Sequence, residues 1–353
     1  MTVLKLGSLF DGIGVFPLAA MHFGMEPVWA SEIEARPISI TRRHFPDMLH
    51  LGDITKISGA EVPPVDVITF GSPCQDLSQI GTRNGFAGKK SSLFYQAMRI
   101  IEEMRYATNG RYPAFTVWEN VAGAFSSNDR LDFAAMLSAF TGAEVSVPPR
   151  GWAHAGMVRG GRADTAWRLL DAQYWGEPAL AQRRKRVFVV ADFAGQRAGE
   201  VLFKPRTVLP FSTISGPGGL SATQRGGVPV AQTGRQVPIV RPFSLRRMRT
   251  MAQVGDQKGF CASFGRGGEP FPTLLASVTA PFSFWYEGEE RDGFLRVLTP
   301  LECERLMGLP ENWTKYGCKN EEISNHARYR ALGNSIALPC AEYVMAGIAE
   351  VMN

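Results

Sequence analysis

Asp66-Val67-Ile68-Thr69-Phe70-Gly71-Ser72-Pro73-Cys74-Gln75 is an apolar, β-branched run that stops at a Gly-Ser-Pro turn, with a cysteine directly after the proline. The run reads as a buried strand that hands a thiol to the edge of a sheet. Pro73 fixes its own φ and restricts Ser72, so Cys74 is presented on a stiff turn. Gln75 to Lys90 is polar and carries glycine, which suits a loop that moves over a substrate. This setting suits a nucleophile, although a Pro-Cys-Gln tripeptide taken alone more often marks a packed or incidental cysteine.

Upstream, Val3 to Phe10 is strand-like, Asp11-Gly12-Ile13-Gly14 can turn tightly, and Phe16 to Phe23 has helical spacing with Pro17 early and Gly24 as a stop. A second strand, Pro27 to Ile33, brings Glu32 to 20 residues after Gly12, the usual distance for a carboxylate that grips ribose hydroxyls at a doubly wound sheet. Glu34 competes for that role. The third glycine of the dinucleotide fingerprint is missing, so the turn need only clear a smaller adenosyl ligand. Leu49 to Ile54 is a third strand whose Asp53 either reaches an adenine amino group or caps a turn.

Downstream, Ser91 or Ser92 caps a helix in which Leu93, Phe94, Met98, Ile101 and Met104 repeat at helical spacing. Ala114 to Val121 is another strand, and it ends in Trp118-Glu119-Asn120-Val121. A carboxyl there is partly desolvated, which pushes it towards proton donation at neutral pH.

With 353 residues, 45% hydrophobic and 20% charged, the chain is long enough for a large core and a second, smaller domain. No apolar run approaches the ~20 residues needed to cross a bilayer, and the N-terminus lacks a secretory signal, so no membrane partner and a cytoplasmic location are expected. Five cysteines without a CxxC pair argue against a disulfide framework and against a metal site.

Phe10-Asp11-Gly12-Ile13-Gly14, Pro73-Cys74-Gln75, Glu119-Asn120-Val121, Gln182-Arg183-Arg184-Lys185-Arg186 and Gly333-Asn334-Ser335 follow one another in the order of the motifs of the DNA cytosine-5 methyltransferases. Arg296 to Pro300 through Leu306 to Pro310 also resembles a block of that family, and the resemblance covers roughly residues 3 to 195 and 295 to 350. It implies an α/β fold, a Rossmann-like seven-stranded methyltransferase sheet with helices on both faces, built from 1–195 and 295–353. A small β and loop domain at 196–294 would read the target. S-adenosylmethionine is the implied cofactor, S-adenosylhomocysteine its product, and no metal is required.

The catalytic residues carried over by the resemblance are Cys74, Glu119, Arg184 and Arg186. Cys74 would add as a thiolate to C6 of a flipped-out cytosine, Glu119 would hold N3 and the amino group, Arg186 would contact O2 and Arg184 its surroundings. Phe10, Gly12, Ile13, Gly14, Glu32, Ile33, Asp53, Ile54, Gly71, Pro73, Leu93 and Asn334 would line the cofactor. Gln75, Ser78, Arg83, Lys89, Arg225, Arg235, Arg246, Arg247 and Arg249 would contact double-stranded DNA. A monomer is expected, with a cognate restriction endonuclease as a partner in the same system.

The chain departs from the family pattern where Ala179-Leu180-Ala181 separates Tyr174-Trp175-Gly176-Glu177-Pro178 from Gln182, which puts the register of Arg184 and Arg186 in question. Pro148 to Arg168, rich in Gly and Arg, reads as a loop of no assigned role, its Trp152 and His154 as packing or solvated residues. Val201 to Gly255 holds eight Lys or Arg and no Asp or Glu, against a net charge of +5 for the chain, and so favours phosphate contact over mere solubility. Near the end, Thr299-Pro300-Leu301-Glu302 reads as a capped helix start that should stop near Gly308, followed by an apolar helix from Ile336 to Ile348. Three other readings stay open: a tRNA cytosine-5 methyltransferase, a nicotinamide oxidoreductase that leaves Cys74 and Glu119 unexplained, and a non-catalytic DNA-binding protein on the same frame.

Overall fold

Val67–Phe70 form β4, buried along its whole length as the apolar run requires, and it pairs in parallel with β1 (Lys5–Leu9) on one side and β5 (Phe115–Val121) on the other. The computed structural model describes residues 3–72, 93–204, 239–242, 273–274, 282–286 and 293–353. Five further strands complete the sheet: β2 (Glu26–Ser31), β3 (Leu49–His50), β6 (Ala155–Arg159), β7 (Asp164–Asp171) and β8 (Lys185–Asp192). Their order is β3-β2-β1-β4-β5-β8-β7-β6. From β1 the chain winds outward through β2 to β3, whereas from β4 it winds the opposite way to β5. Ligands of open α/β sheets bind at such a reversal. Right-handed crossovers then put α1 (Val15–His22) and α3 (Leu93–Ala107) on opposite faces.

One face is covered by α3 and by α4 (Leu131–Thr141), whose Phe94, Ile101, Phe133 and Phe140 pack on Leu9, Ile68, Phe70, Trp118 and Val189. The Phe94 ring lies 6.1 Å from Phe70 and meets Phe140 edge-on at 5.9 Å. In the same core cluster, Gly7 makes room for Trp29: a Cβ on Gly7 would stand 2.2 Å from the indole, which is fully buried. The helix α8 (Leu338–Met352) is tied to α1 by His22 Nδ1 and Glu342 Oε1, 2.6 Å apart.

The sheet has eight strands where seven were expected, because the Gly- and Arg-rich segment read as a loop supplies β6. It pairs antiparallel with β7 from Ala155↔Arg168 to Arg159↔Asp164. An edge strand with one half-open face is satisfied by small and polar residues, which hid it. Trp152 and His154 pack, as expected: Trp152 lies 5.0 Å from Phe133 and His154 is stacked on Phe125. The third strand is also shorter than Leu49 to Ile54; it ends at His50, and Ile54–Lys56 form a single 3-10 turn.

The chain divides into two compact units, one of Met1–Leu170, Lys185–Leu209 and Cys340–Asn353, the other of Asp171–Arg184 and Pro210–Pro339. The second holds a three-stranded antiparallel sheet of β9 (Ile239–Pro242), β10 (Phe282–Tyr286) and β11 (Gly293–Val297), in the order β11-β10-β9. Its α6 (Pro300–Leu306) starts with the capping box read from the sequence, Thr299 and Glu302 exchanging bonds, and the chain turns away through Gly308 at φ 72°. No single helix among the described residues is long and apolar enough to cross a membrane.

Glu304 of α6 is fully buried and accepts from the amides of Asn312 (2.8 Å) and Thr314 (2.9 Å), the Thr314 hydroxyl and Arg328 Nη2 (2.9 Å). Arg328 belongs to α7 (Asn325–Asn334) and also donates from Nε to Thr314 Oγ1 at 3.0 Å. Removing one partner strands the other charge, so Arg328→Ala is expected to destabilise this unit by ~3–5 kcal/mol. Urea denaturation followed by tryptophan fluorescence, which Trp313 reports locally, checks it.

Candidate active site

The strand-to-helix turn after β1 is built on left-handed backbone: Phe10, Gly12 and Gly14 have φ of 54°, 59° and 77°. Gly14 is required twice over, since a Cβ there would also stand 2.6 Å from the Phe45 ring. Beside Gly12 a Cβ would meet nothing within 4 Å, so the turn opens onto space. Glu32, at the end of β2, fastens this turn. Its Oε2 accepts from Gly12 N at 2.9 Å, while Oε1 accepts from Ile33 N at 2.7 Å and Glu34 N at 2.9 Å. The adjacent Ile33 is 73% exposed on a fixed main chain, whereas Ile13 is buried.

Asp53 does cap a turn: its Oδ1 accepts from Thr55 N at 3.0 Å and Thr55 Oγ1 at 2.9 Å. These bonds hold its carboxyl below the usual carboxylate range, and Oδ2 is left for an outside donor. Ile54, the next residue, is buried in the core. Leu93 opens α3, and Asn334 closes α7 in the second unit.

Asp11 in the same turn escaped the sequence reading. Both its carboxyl oxygens are buried, with no hydrogen-bond partner of adequate geometry. Burial, reinforced by the nearby Glu32 charge and only partly offset by the Ser8 hydroxyl, pushes its pKa up to about 7. A carboxyl whose folded-state pKa lies above its unfolded value favours the fold below the unfolded pKa and loses that advantage as pH rises towards 7. Asp11→Asn is therefore expected to be more stable than the parent at pH 8, and the gap should close as pH falls to 4. Thermal melts across that range measure it.

At the end of β4, Gly71 leaves room for Glu119 on β5: a Cβ on Gly71 would stand 3.1 Å from Glu119 Oε2. Ser72 is held from the same strand, with Trp118 Nε1 donating to its Oγ at 3.1 Å and Asn120 Nδ2 to its carbonyl at 2.9 Å. Asn120 Oδ1 in turn accepts from Val121 N at 2.8 Å. The Asn of the Glu-Asn-Val motif thus anchors the residue two before Cys74, a role that its type in the sequence does not announce.

β5 and β8 run antiparallel with Val121 opposite Arg186 and Glu119 opposite Phe188, so Glu119 and Arg186 are diagonal neighbours on one face. Arg186 Nε lies 2.9 Å from Glu119 Oε1, and the two side chains are 14% and 11% exposed. This pairing gives Arg186 a defined register despite the three extra residues 179–181, whose Leu180 is buried and bonded back to the Trp175 carbonyl at 3.0 Å.

Arg184 lies in the second unit, almost wholly buried. Its Nη1 donates to the Leu274 carbonyl and its Nη2 to the Gly333 carbonyl, both at 2.9 Å, and Nη2 also donates to the Ser335 carbonyl. The structure therefore brings together Gly12 with Glu32, and Gly71 and Ser72 with Glu119 and Arg186. Pro73, Cys74, Gln75, Ser78, Arg83, Lys89, Arg225, Arg235, Arg246, Arg247 and Arg249 lie outside the described residues.

The model of the C-5 cytosine-specific DNA methylase family matches residues 4–205 and 245–350. Among curated relatives, the chain is 24% identical to a protein of Escherichia phage P1 named DNA N-6-adenine-methyltransferase, over 98% of this chain and 61% of that one. It is 25% identical to type II methyltransferase M.BsuFI of Bacillus subtilis, over 97% of this chain and 71% of the relative. The S. pombe Dnmt2 methyltransferase structure covers 100% of both chains with a TM-score of 0.59 at 16% identity, a likeness of fold. A sheet of methyltransferase topology and a family match over most of the sequence leave one assignment: this chain belongs to the C-5 cytosine-specific DNA methylase family.

Proposed function

We propose that the protein transfers a methyl group from S-adenosylmethionine to C5 of a flipped-out cytosine in a specific double-stranded DNA sequence, through a covalent bond between Cys74 and C6. The observation that carries this reading is the Glu119–Arg186 pair beside the anchored Ser72, at the sheet end that leads into Cys74.

The residues present fit the cofactor. The turn at Gly12 is open, and the carboxylates of Glu32 and Asp53 match the hydroxyls and the amino group of an adenosyl ligand. Phe10, Ile13, Gly14, Ile33, Ile54, Gly71, Pro73 and Leu93 complete the proposed lining. When bound, S-adenosylmethionine supplies an electrophilic methyl on a sulfonium.

C5 of cytosine is a poor nucleophile, and thiolate addition at C6 would turn the ring into an enamine whose C5 could accept the methyl as its bond to sulfur breaks and S-adenosylhomocysteine leaves. Cys74, with a free pKa of ~8.5, is the thiolate in this reading. Glu119 holds the amino group and places a proton at N3 as electrons move into the ring, while Arg186 contacts O2. Loss of the C5 proton then expels the thiol. Arg184 enters through the main chain at 333–335 that it holds. The base must leave the duplex first, at a cost of a few kcal/mol that pocket contacts offset.

In the same proposal 1–195 and 295–353 carry catalysis, and 196–294 reads the target, with Arg225, Arg235, Arg246, Arg247 and Arg249 on phosphates and bases. Gln75, Ser78, Arg83 and Lys89 also contact DNA. The protein acts as a cytoplasmic monomer, paired with a cognate restriction endonuclease. A second reading, methylation of adenine N6, is favoured by the name of the phage P1 relative alone. An exocyclic amine needs no thiol to attack a sulfonium, so that reading leaves Cys74 idle.

Nucleoside analysis of DNA from cells that express the protein separates the two. The expected product is 5-methylcytosine; N6-methyladenine alone would replace this reading by the second. Calorimetry with the purified protein should show S-adenosylhomocysteine binding and no binding of nicotinamide dinucleotides.

A further inference from the structure

Asp53 sits at the head of one 3-10 turn, which has only two backbone bonds of its own, Lys56 N to the Asp53 carbonyl at 3.0 Å and Ile57 N to the Ile54 carbonyl at 3.4 Å. The turn is gripped from outside by α3. Arg99 Nη2 donates to the Ile54 carbonyl at 3.1 Å and Nη1 to the Ile57 carbonyl at 2.8 Å, so one guanidinium spans both ends of the turn. Glu103, one helical turn further on, accepts from the same Nη1 at 2.9 Å through both oxygens and from Gly59 N at 2.7 Å. Gln96 Oε1 steadies Arg99 Nε at 2.9 Å. Gly59 lies so close to α3 that a Cβ on it would stand 2.1 Å from the Ile100 carbonyl, which leaves the segment one seat on the helix.

Neither side chain is needed for the core. The pair is about one-third exposed, and an i,i+4 pair of that exposure adds little to stability. What it holds instead is the turn that Asp53 heads, within which Thr55 bonds to the Asp53 carboxyl and holds it below the usual carboxylate range.

Resting on the cofactor reading above, we propose that Arg99 and Glu103 are positioning residues that set the Asp53 carboxylate to accept a hydrogen bond from the exocyclic amino group of the cofactor's adenine. They confer preference for a 6-amino over a 6-oxo purine and touch neither the cofactor nor the reacting atoms. The same helix begins at Leu93, one of the residues proposed to line the cofactor.

The test is calorimetry of the full-length protein with two probes, S-adenosylhomocysteine and its deaminated analogue S-inosylhomocysteine, which presents an oxygen where adenine presents the amino group. The parent should prefer the adenosyl compound. Arg99→Ala should lose about tenfold in affinity for it, a difference of one hydrogen bond to a charged group. Affinity for the inosyl compound should change little, so that discrimination collapses. Arg99→Lys, which reaches one carbonyl, should recover part of it, and Glu103→Gln should fall between Arg99→Ala and the parent. In turnover, KM for S-adenosylmethionine should rise by more than kcat falls.

Equal loss for both probes, or unaltered discrimination in both Arg99→Ala and Glu103→Gln, would overturn the positioning role and leave the cofactor reading intact. A parent protein that binds neither probe overturns the cofactor reading, and this proposal with it.

Discussion

Cys74→Ala is expected to lower methyl transfer to cytosine C5 by about 10,000-fold or more while leaving affinity for DNA in place. The size of the effect follows from the ring. Without a nucleophile at C6 there is no enamine. Two of the other thiols among the described residues are buried. Cys303 is buried, and burial together with the Glu302 and Glu304 charges pushes its pKa up to about 12, so it stays protonated at neutral pH. Cys340 is also buried. A single-turnover assay with tritiated S-adenosylmethionine measures the loss, and gel-shift titration measures DNA binding. Residual transfer within tenfold of the parent would show that the thiol is dispensable.

Glu119→Gln is expected to lower kcat by roughly 100- to 10,000-fold, the range for losing a positioned proton donor or acceptor. Glutamine keeps the shape of the side chain and one oxygen for Arg186 Nε, now at 2.9 Å from Glu119 Oε1, but it cannot share a proton with N3. The deficit should therefore fall on addition to the ring, and alkylation of Cys74 by iodoacetamide should persist. Stopped-flow kinetics on the variant, with alkylation mapped by mass spectrometry, separates a lost proton from a collapsed site. Loss of thiol reactivity together with turnover would mean that Glu119 supports the turn rather than the reaction.

The elements that announced themselves in the sequence are those whose signals are local. The Val67–Phe70 run, the Gly12 and Gly14 turn and the Thr299–Glu302 capping box each require only their own few residues, and each forms as read. Glu32 was placed by spacing, and its bond to Gly12 N gives that spacing a mechanical reason. Edge strand β6 stayed hidden because its pairing to β7 satisfies the backbone whatever the side chains are.

Side chains that bond to main-chain carbonyls were equally silent. Arg184 at 274, 333 and 335, Arg99 at 54 and 57, and Asn120 at 72 have acceptors that every residue type carries, so nothing in the sequence marks them. Asp53 was legible as a turn cap, and its carboxyl is the one proposed to face the ligand.

The account rests on a covalent bond between Cys74 and a cytosine ring, and one measurement addresses that bond directly. The protein is incubated with S-adenosylmethionine and duplex DNA that carries 5-fluorocytosine at its target, then digested and mapped by mass spectrometry. Fluorine at C5 cannot leave as a proton does, so the methylated ring should remain attached to the peptide that contains Cys74, and Cys74→Ala should give no adduct. An adduct on Cys261, Cys303, Cys318 or Cys340, or methylated DNA with no adduct at all, would contradict the account.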